Sequence, residues 1–442
     1  MRTPKSATPG GPALDRRSFL KLAGGLAGGL AAGVVLPQSA RAIPVTGPAH
    51  ADLSAPDREI PARTRHFYIY ATDGYLTLPD QTRTYIRGFA GNNPPTTPVA
   101  DPASLKGKAQ LPAPIIEAVA GDDCYLHFRD ISNANPNAPV DPHTVHLHGI
   151  HTSTQNDGFP EGSFSVMDRE VIYYFKPEHA GTFMYHCHVE ASEHVQMGMY
   201  GALIIRPAAN MGNTVYGGVR HQGQLIDRFD KEYIMLLSDL DTRWHRMIEG
   251  HNIAFNPVDY RPDYWLLNGR CFPDTILPAQ AVFAGNTGGP PPGYDSYVHV
   301  RTGQRLLLRM INMGYQTIPW HVHGYHFNIV GKDASPLVEL GANGGLHDNY
   351  TVTIGSGETY DLIVEVMDKS GIYKNKSPQD VPYVPVPTAD GGFYTYDGTA
   401  ATFFPQFFPM HNHDDYKVTN NGVYPGGALA LMQADAPAGW RP

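Results

Sequence analysis

Along this chain, short apolar runs alternate with clusters of glycine, proline, asparagine and aspartate, and from His66 onward no long stretch carries helical spacing. The runs Val171–Phe175, Thr182–Tyr185, Ala202–Ile205, Leu306–Met310, Phe327–Val330 and Leu362–Val366 read as strands. Many short strands separated by turn residues predict β-sandwiches or barrels, an all-β fold. Composition agrees: 46 Gly, 39 Pro, 25 Tyr and 18 Phe suit turn-rich β structure better than helical bundles.

The pattern occurs twice. Gly121-Asp122-Asp123-Cys124-Tyr125-Leu126-His127-Phe128 leads to His146-Leu147-His148-Gly149, and Gly303-Gln304-Arg305-Leu306-Leu307-Leu308-Arg309 leads to His321-Val322-His323-Gly324. Each half later carries another His-x-His, at His186/His188 and His411/His413, and closes on a Gly-containing apolar run, Tyr200–Ile205 and Gly426–Met432. These are read as two copies of one β-domain, 43–207 and 229–442, joined by a linker at 208–228. Thirty-seven residues separate His148 from His186, but eighty-seven separate His323 from His411. The excess is an insertion near 374–407, either a tolerated surface loop or a cover for a site.

Residues 1–42 stand apart. Arg16-Arg17-Ser18-Phe19-Leu20-Lys21, a Gly/Ala/Leu run to Leu36 and Ala40-Arg41-Ala42 read together as a twin-arginine export signal with its cleavage site. The run is too short and Gly-rich to span a bilayer, so no membrane association is expected after cleavage, and the protein is placed in the periplasm or outside the cell. Formal charge is −9 overall; the first 42 residues hold six basic side chains and one acid, leaving −14 for the rest. That balance argues against nucleic acid as a partner. Three cysteines cannot make a disulfide framework.

The 21 histidines carry the chemistry. Chance places about one His-x-His pair in a chain of this composition; there are four, at matching places in the two halves. On a strand, residues i and i+2 share a face, so each pair offers two imidazoles to one spot. In the first half Cys187 lies between His186 and His188, His194 and Met199 follow, and His143 precedes His146 by three. His143, Cys187, His194 and Met199 make a His₂Cys set with a weak thioether, the ligand set of a blue copper site; zinc would leave the thioether unexplained. Met197 is the rival axial ligand.

The run His143-Thr144-Val145-His146-Leu147-His148-Gly149, followed by His186-Cys187-His188, resembles the multicopper oxidases, and two domains point to the two-domain, laccase-like members. The resemblance covers nearly all the chain after residue 42 and implies two cupredoxin-like Greek-key β-sandwiches. It implies a type 1 copper on His143, Cys187, His194 and Met199. It implies a type 2 copper on His146 and His321, and two type 3 coppers on His148, His186, His188, His323, His411 and His413. In the second half Ile318 and Asn412 stand where a type 1 His and Cys would be, so that copper is expected in the first domain alone. The interval from Cys187 to His194 is longer than in three-domain laccases.

The reaction so implied is one-electron oxidation of a small reducing substrate, such as a phenol or aromatic amine, coupled to reduction of dioxygen to water. His194 is expected to present the edge exposed to substrate. Asp157 matches an acidic position near the cluster and relays protons, orients a type 2 ligand, or is simple Asp-Gly turn chemistry. The resemblance also implies a homotrimer whose trinuclear clusters are shared between subunits. A copper nitrite reductase, or a copper-binding electron carrier, is the alternative; neither needs His-x-His pairs in both halves. His127, His151, His245 and His326 have no matching partner and read as ordinary surface or core histidines, and Cys124 as a buried thiol.

Overall fold

The structure, a computed structural model, describes residues 58–59, 62–210, 213–251, 256–277, 293–337, 347–369, 386–387, 393–394 and 405–438. The export signal and nearly all of the 374–407 insertion lie outside these residues.

Alternation builds the first sandwich. In Asp123–Asp130, Cys124, Leu126, Phe128 and Asp130 turn inward while their neighbours face out. One sheet runs in the order Arg83–Ala90, Thr64–Thr77, Asp123–Asp130, Glu170–Phe175; the facing sheet runs Ala113–Val119, Tyr200–Arg206, Gly181–His186, His146–His148. Phe67, Phe89, Leu126, Phe128, Leu147, Tyr173 and Tyr185 fill the space between them, and Cys187 joins that core.

The second half repeats this order within larger sheets, the first extended by Phe327–Lys332, Ser335–Pro336 and Asp348–Asn349 and the second by Thr351–Ile354. Tyr264–Leu267, Lys231–Leu240, Arg305–Asn312 and Thr359–Glu365 correspond to the first sheet, and Val298–Arg301, Leu429–Asp435, Gln406–Asn412 and Ile318–Val322 to the second. Even the parallel pairs recur: Thr64–Thr77 with Asp123–Asp130 and Lys231–Leu240 with Arg305–Asn312, then Ala113–Val119 with Tyr200–Arg206 and Val298–Arg301 with Leu429–Asp435. The expected strands fall within observed ones, except that Leu362–Val366 runs one residue past Thr359–Glu365, and the fold is all-β. Helix is confined, among the described residues, to Ala191–Met197, Thr242–Glu249 and short 3-10 turns. No described helix is long and apolar enough to cross a membrane. The expected linker includes a small hairpin, Arg220–His221 against Gln224–Leu225.

Both sandwiches belong to one compact unit. Every residue of Gly181–His186 is buried, because one face enters the first core and the other packs against the second half. Met184, Tyr200, Ala202 and Ile204 meet Ile234, Leu236, Leu266 and Ile311 there. Polar contacts edge this seam. Thr182 donates to Asp361 at 2.6 Å, Arg206 pairs with Glu232 at 2.6 Å, and Arg309 pairs with Glu232 at 2.8 Å. The strand that ends in His186 is thereby fixed on both sides.

Candidate metal centre

Strand pairing assembles two sets of imidazoles. His146 lies opposite His186 in the first half, and His321 lies opposite His411 in the second. Ring centroids in the set His146, His148, His186 and His188 stand 5.2–5.7 Å apart. In the set His321, His323, His411 and His413 they stand 5.1–5.7 Å apart. Among the described residues no ring contact joins one set to the other. Gly149 and Gly324, which follow the first pair in each half, have positive φ of 87° and 72°. A Cβ there would crowd Phe183 and Phe408 respectively, so the chain turns off each strand where only glycine fits.

Backbone carbonyls fix the ring orientations. His146 Nδ1 donates to the carbonyl of Asp157 at 2.6 Å, and its counterpart His321 to that of Tyr350 at 2.7 Å. His186 and His411 each use Nδ1 on the carbonyl of the next residue, both at 2.9 Å. An imidazole whose Nδ1 hydrogen is so committed presents a bare Nε2 lone pair. His148 Nδ1 is buried with no hydrogen-bond partner, a nitrogen that a metal would satisfy. Burial holds His186 down to about 3 and also lowers His148, with nearby His146 adding to the second effect. In both rings burial favours the neutral form that ligation requires. This donor set fits copper: borderline nitrogen ligands converging at one edge.

Beside it sits the sulfur site. His143, Cys187 and His194 are all buried, with their ligand atoms within 4.8 Å of one another. Cys187 Sγ is 3.4 Å from His194 Nδ1 and 3.9 Å from His143 Nδ1. Burial pushes the Cys187 thiol up, but the charge and hydrogen bond of His194, with backbone contacts, outweigh it and the net displacement is downward. Met199 packs in the same apolar core as Cys187, and its carbonyl accepts from Cys187 N at 3.0 Å. Met197 instead joins Tyr85, Trp244 and Ile248 in a separate cluster. The long interval after Cys187 holds the helix Ala191–Met197, which carries His194 on its buried side. The corresponding spot in the second half is closed. Ile318 is fully buried in the apolar core, Asn412 is fully buried beside it in the sheet, and Asn412 Oδ1 accepts from Asp414 N.

One expectation needs revision. His194 has no exposed edge: it is 0% accessible. Its Nε2 faces Arg87 Nη1 at 2.9 Å, and Asp141 Oδ2 lies 3.7 Å away. Arg87 is buried, pairs with Asp141 and lies 3.5 Å from Glu193. A guanidinium with two carboxylates thus covers the imidazole, a cap that no local motif announces. Asp157, for its part, reaches His146 chiefly through its carbonyl; its carboxylate stands 3.5 Å off and is part-exposed. Gly158 has φ +74°, and a Cβ on it would strike Val145 O at 2.1 Å, so the Asp157–Gly158 backbone is pressed onto the strand it orients.

Comparison with known proteins agrees with this geometry. Family models described as multicopper oxidase match residues 104–210 and 273–373. The multicopper oxidase LPR1 of Arabidopsis thaliana is 29% identical over 40% of this chain and 34% of its own. A copper-containing nitrite reductase of Pseudomonas chlororaphis is 27% identical over 40% of this chain and 44% of its own. In structure, a blue copper oxidase from Nitrosomonas europaea superposes with a TM-score of 0.57 at 24% identity, covering 84% of this chain and 86% of that one, which establishes a shared fold. The chain spans well under half the length of these two curated relatives. The half-sets of histidines, the sulfur site and the family models fall on the same two sandwiches, and the chain carries multicopper oxidase domains over residues 104–210 and 273–373.

Proposed function

We propose that this protein is a laccase-like oxidase that takes single electrons from a small reductant, a phenol or aromatic amine, and delivers four to dioxygen to form two waters. The observation that carries the reading is the duplicated half-set, four convergent imidazoles on each sandwich, adjoining one buried His₂Cys group. Bound copper would supply the one-electron chemistry and dioxygen activation. The chain's own part is to hold and connect. His143, Cys187, His194 and Met199 would hold the type 1 ion, His146 and His321 the type 2 ion, and His148, His186, His188, His323, His411 and His413 the type 3 pair. Cys187 is covalently joined to His186 and His188, so one short peptide path links the two sites. The Asp157 carbonyl orients His146, and its part-exposed carboxylate is placed to pass protons inward. The reading extends to export through residues 1–42 and to a homotrimer in which each cluster is shared, consistent with half-sets that make no ring contact with each other among the described residues.

Dioxygen uptake by copper-loaded protein with a phenolic donor tests this. Four donor electrons per dioxygen, without peroxide, are expected. Cys187→Ser should abolish turnover and the intense visible band while about three of every four coppers remain, since the other ligands are untouched. A nitrite reductase reading uses only one half-set. Brisk nitrite reduction without dioxygen uptake would establish it in place of the oxidase.

A further inference from the structure

We propose that His151, Glu178 and His179 form a separate surface site for a borderline divalent metal ion such as zinc, outside the copper ligand set. Their ligand atoms all lie within 4.8 Å of one another. His151 Nδ1 is 3.4 Å from Glu178 Oε2, and the two imidazole rings stand edge to face, 6.0 Å apart at 89°. Two nitrogens and one carboxylate oxygen suit zinc, nickel or copper(II); calcium and magnesium prefer all-oxygen shells. Three protein ligands leave positions for water in a tetrahedral or five-coordinate shell. All three side chains are exposed, so an ion has a direct path in.

The site is held from beneath. His151 follows buried Ile150, just past the strand His146–His148, and Glu178–His179 lie between buried Pro177 and Ala180, just before the strand Gly181–His186. Those strands are antiparallel neighbours, with His148 opposite Met184, so the chain leaving one runs beside the chain entering the other. Ile150 N donates to Leu147 O at 3.1 Å and Gly121 N to Pro177 O at 2.7 Å, which ties down both segments. The nearest cation in sequence, Lys176, turns to Asp123 at 3.4 Å, leaving the Glu178 charge to His151. An ion here would clip together the ends of the two strands that carry His146, His148 and His186. Sequence spacing gave no sign of it, because His151 and Glu178 lie twenty-seven positions apart.

To test the site, copper-loaded protein, first cleared of loosely held copper with a chelator until the visible band alone is retained, is dialysed against micromolar zinc and both metals are counted by elemental analysis. One zinc per chain is expected at unchanged copper content and unchanged visible band. His151→Ala and His179→Ala should each lose that zinc, and Glu178→Gln should weaken it at least about tenfold, all three keeping copper and the visible band, which also reports correct folding. Cobalt offers a second readout: its d–d absorption should appear in the parent protein and be absent from His179→Ala. The proposal fails if no zinc is taken up, if uptake matches copper lost, or if the variants bind zinc as the parent does.

Discussion

The imidazole of His194 meets a guanidinium at its Nε2 edge, and that contact sets an expectation for the blue site. An imidazole that gives Nδ1 to a metal carries its hydrogen on Nε2 and must donate there; Arg87 can only donate, so Asp141 is the acceptor within reach. The Arg87 charge nevertheless favours the reduced, less positive metal. With one imidazole between the charge and the ion, and an effective dielectric of about 20, this is on the order of 100 mV for one electron. Arg87→Met should therefore lower the type 1 midpoint potential, read by redox titration of the visible band, with the band itself retained. An unchanged potential would mean that the cap is structural only. The ligand residues were legible in sequence because motif spacing is local: His186, Cys187 and His188 declare themselves. Arg87 was not, since it lies 107 positions from His194 and a lone arginine on a strand has no signature. The carbonyls that choose each tautomer were equally hidden, because any residue could supply them.

Strands that bury one face announced themselves by alternation, as in Asp123–Asp130. Parallel pairing between Thr64–Thr77 and Asp123–Asp130 did not, since it depends on a crossover and not on local pattern. Gly181–His186 shows a further limit: its outer face packs on the second half, so Thr182 and Met184 serve a seam rather than solvent. Glu232 governs that seam's response to acid. Burial raises its carboxyl, but Arg206 and Arg309 outweigh this and hold it below the ordinary value of 4.5. The unfolded chain therefore takes up a proton at higher pH than the folded one. The stabilisation is complete above about pH 4.5 and is lost as pH falls through the depressed folded value. Glu232→Gln should flatten that part of the acid-unfolding curve and cost about 3 kcal/mol at neutral pH, since two buried arginines lose a partner. Thermal melts of both proteins across pH 3–7 would show it; parallel curves would refute it.

At the scale of the whole molecule, each sandwich converges four histidines, and the proposed cluster would need both sets. Repetition made the two copies visible in the sequence, and the structure repeats even their strand order. Assembly is different, because a half-set does not say which chain completes it. A closed ring of heterologous contacts would satisfy every half-set, and subunit mixing checks this. His146→Ala with His148→Ala in one chain, and His411→Ala with His413→Ala in another, should each be inactive alone. Co-expressed, they should regain part of the dioxygen uptake, because some interfaces then join an intact first sandwich to an intact second one. Mixed oligomers without any activity would place the cluster inside single chains.

The buried state of His194 has a consequence for what such an enzyme could tell apart. A donor that cannot touch the imidazole must send its electron across the lid of Asp141 and Glu193, whose side chains remain 22% and 13% accessible. Tunnelling over a fixed gap responds to driving force, and far less to the outline of the molecule outside. The protein would then act on its reductants as a voltage threshold, admitting any that reach the lid with sufficient potential and refusing those that fit well but hold their electrons too tightly.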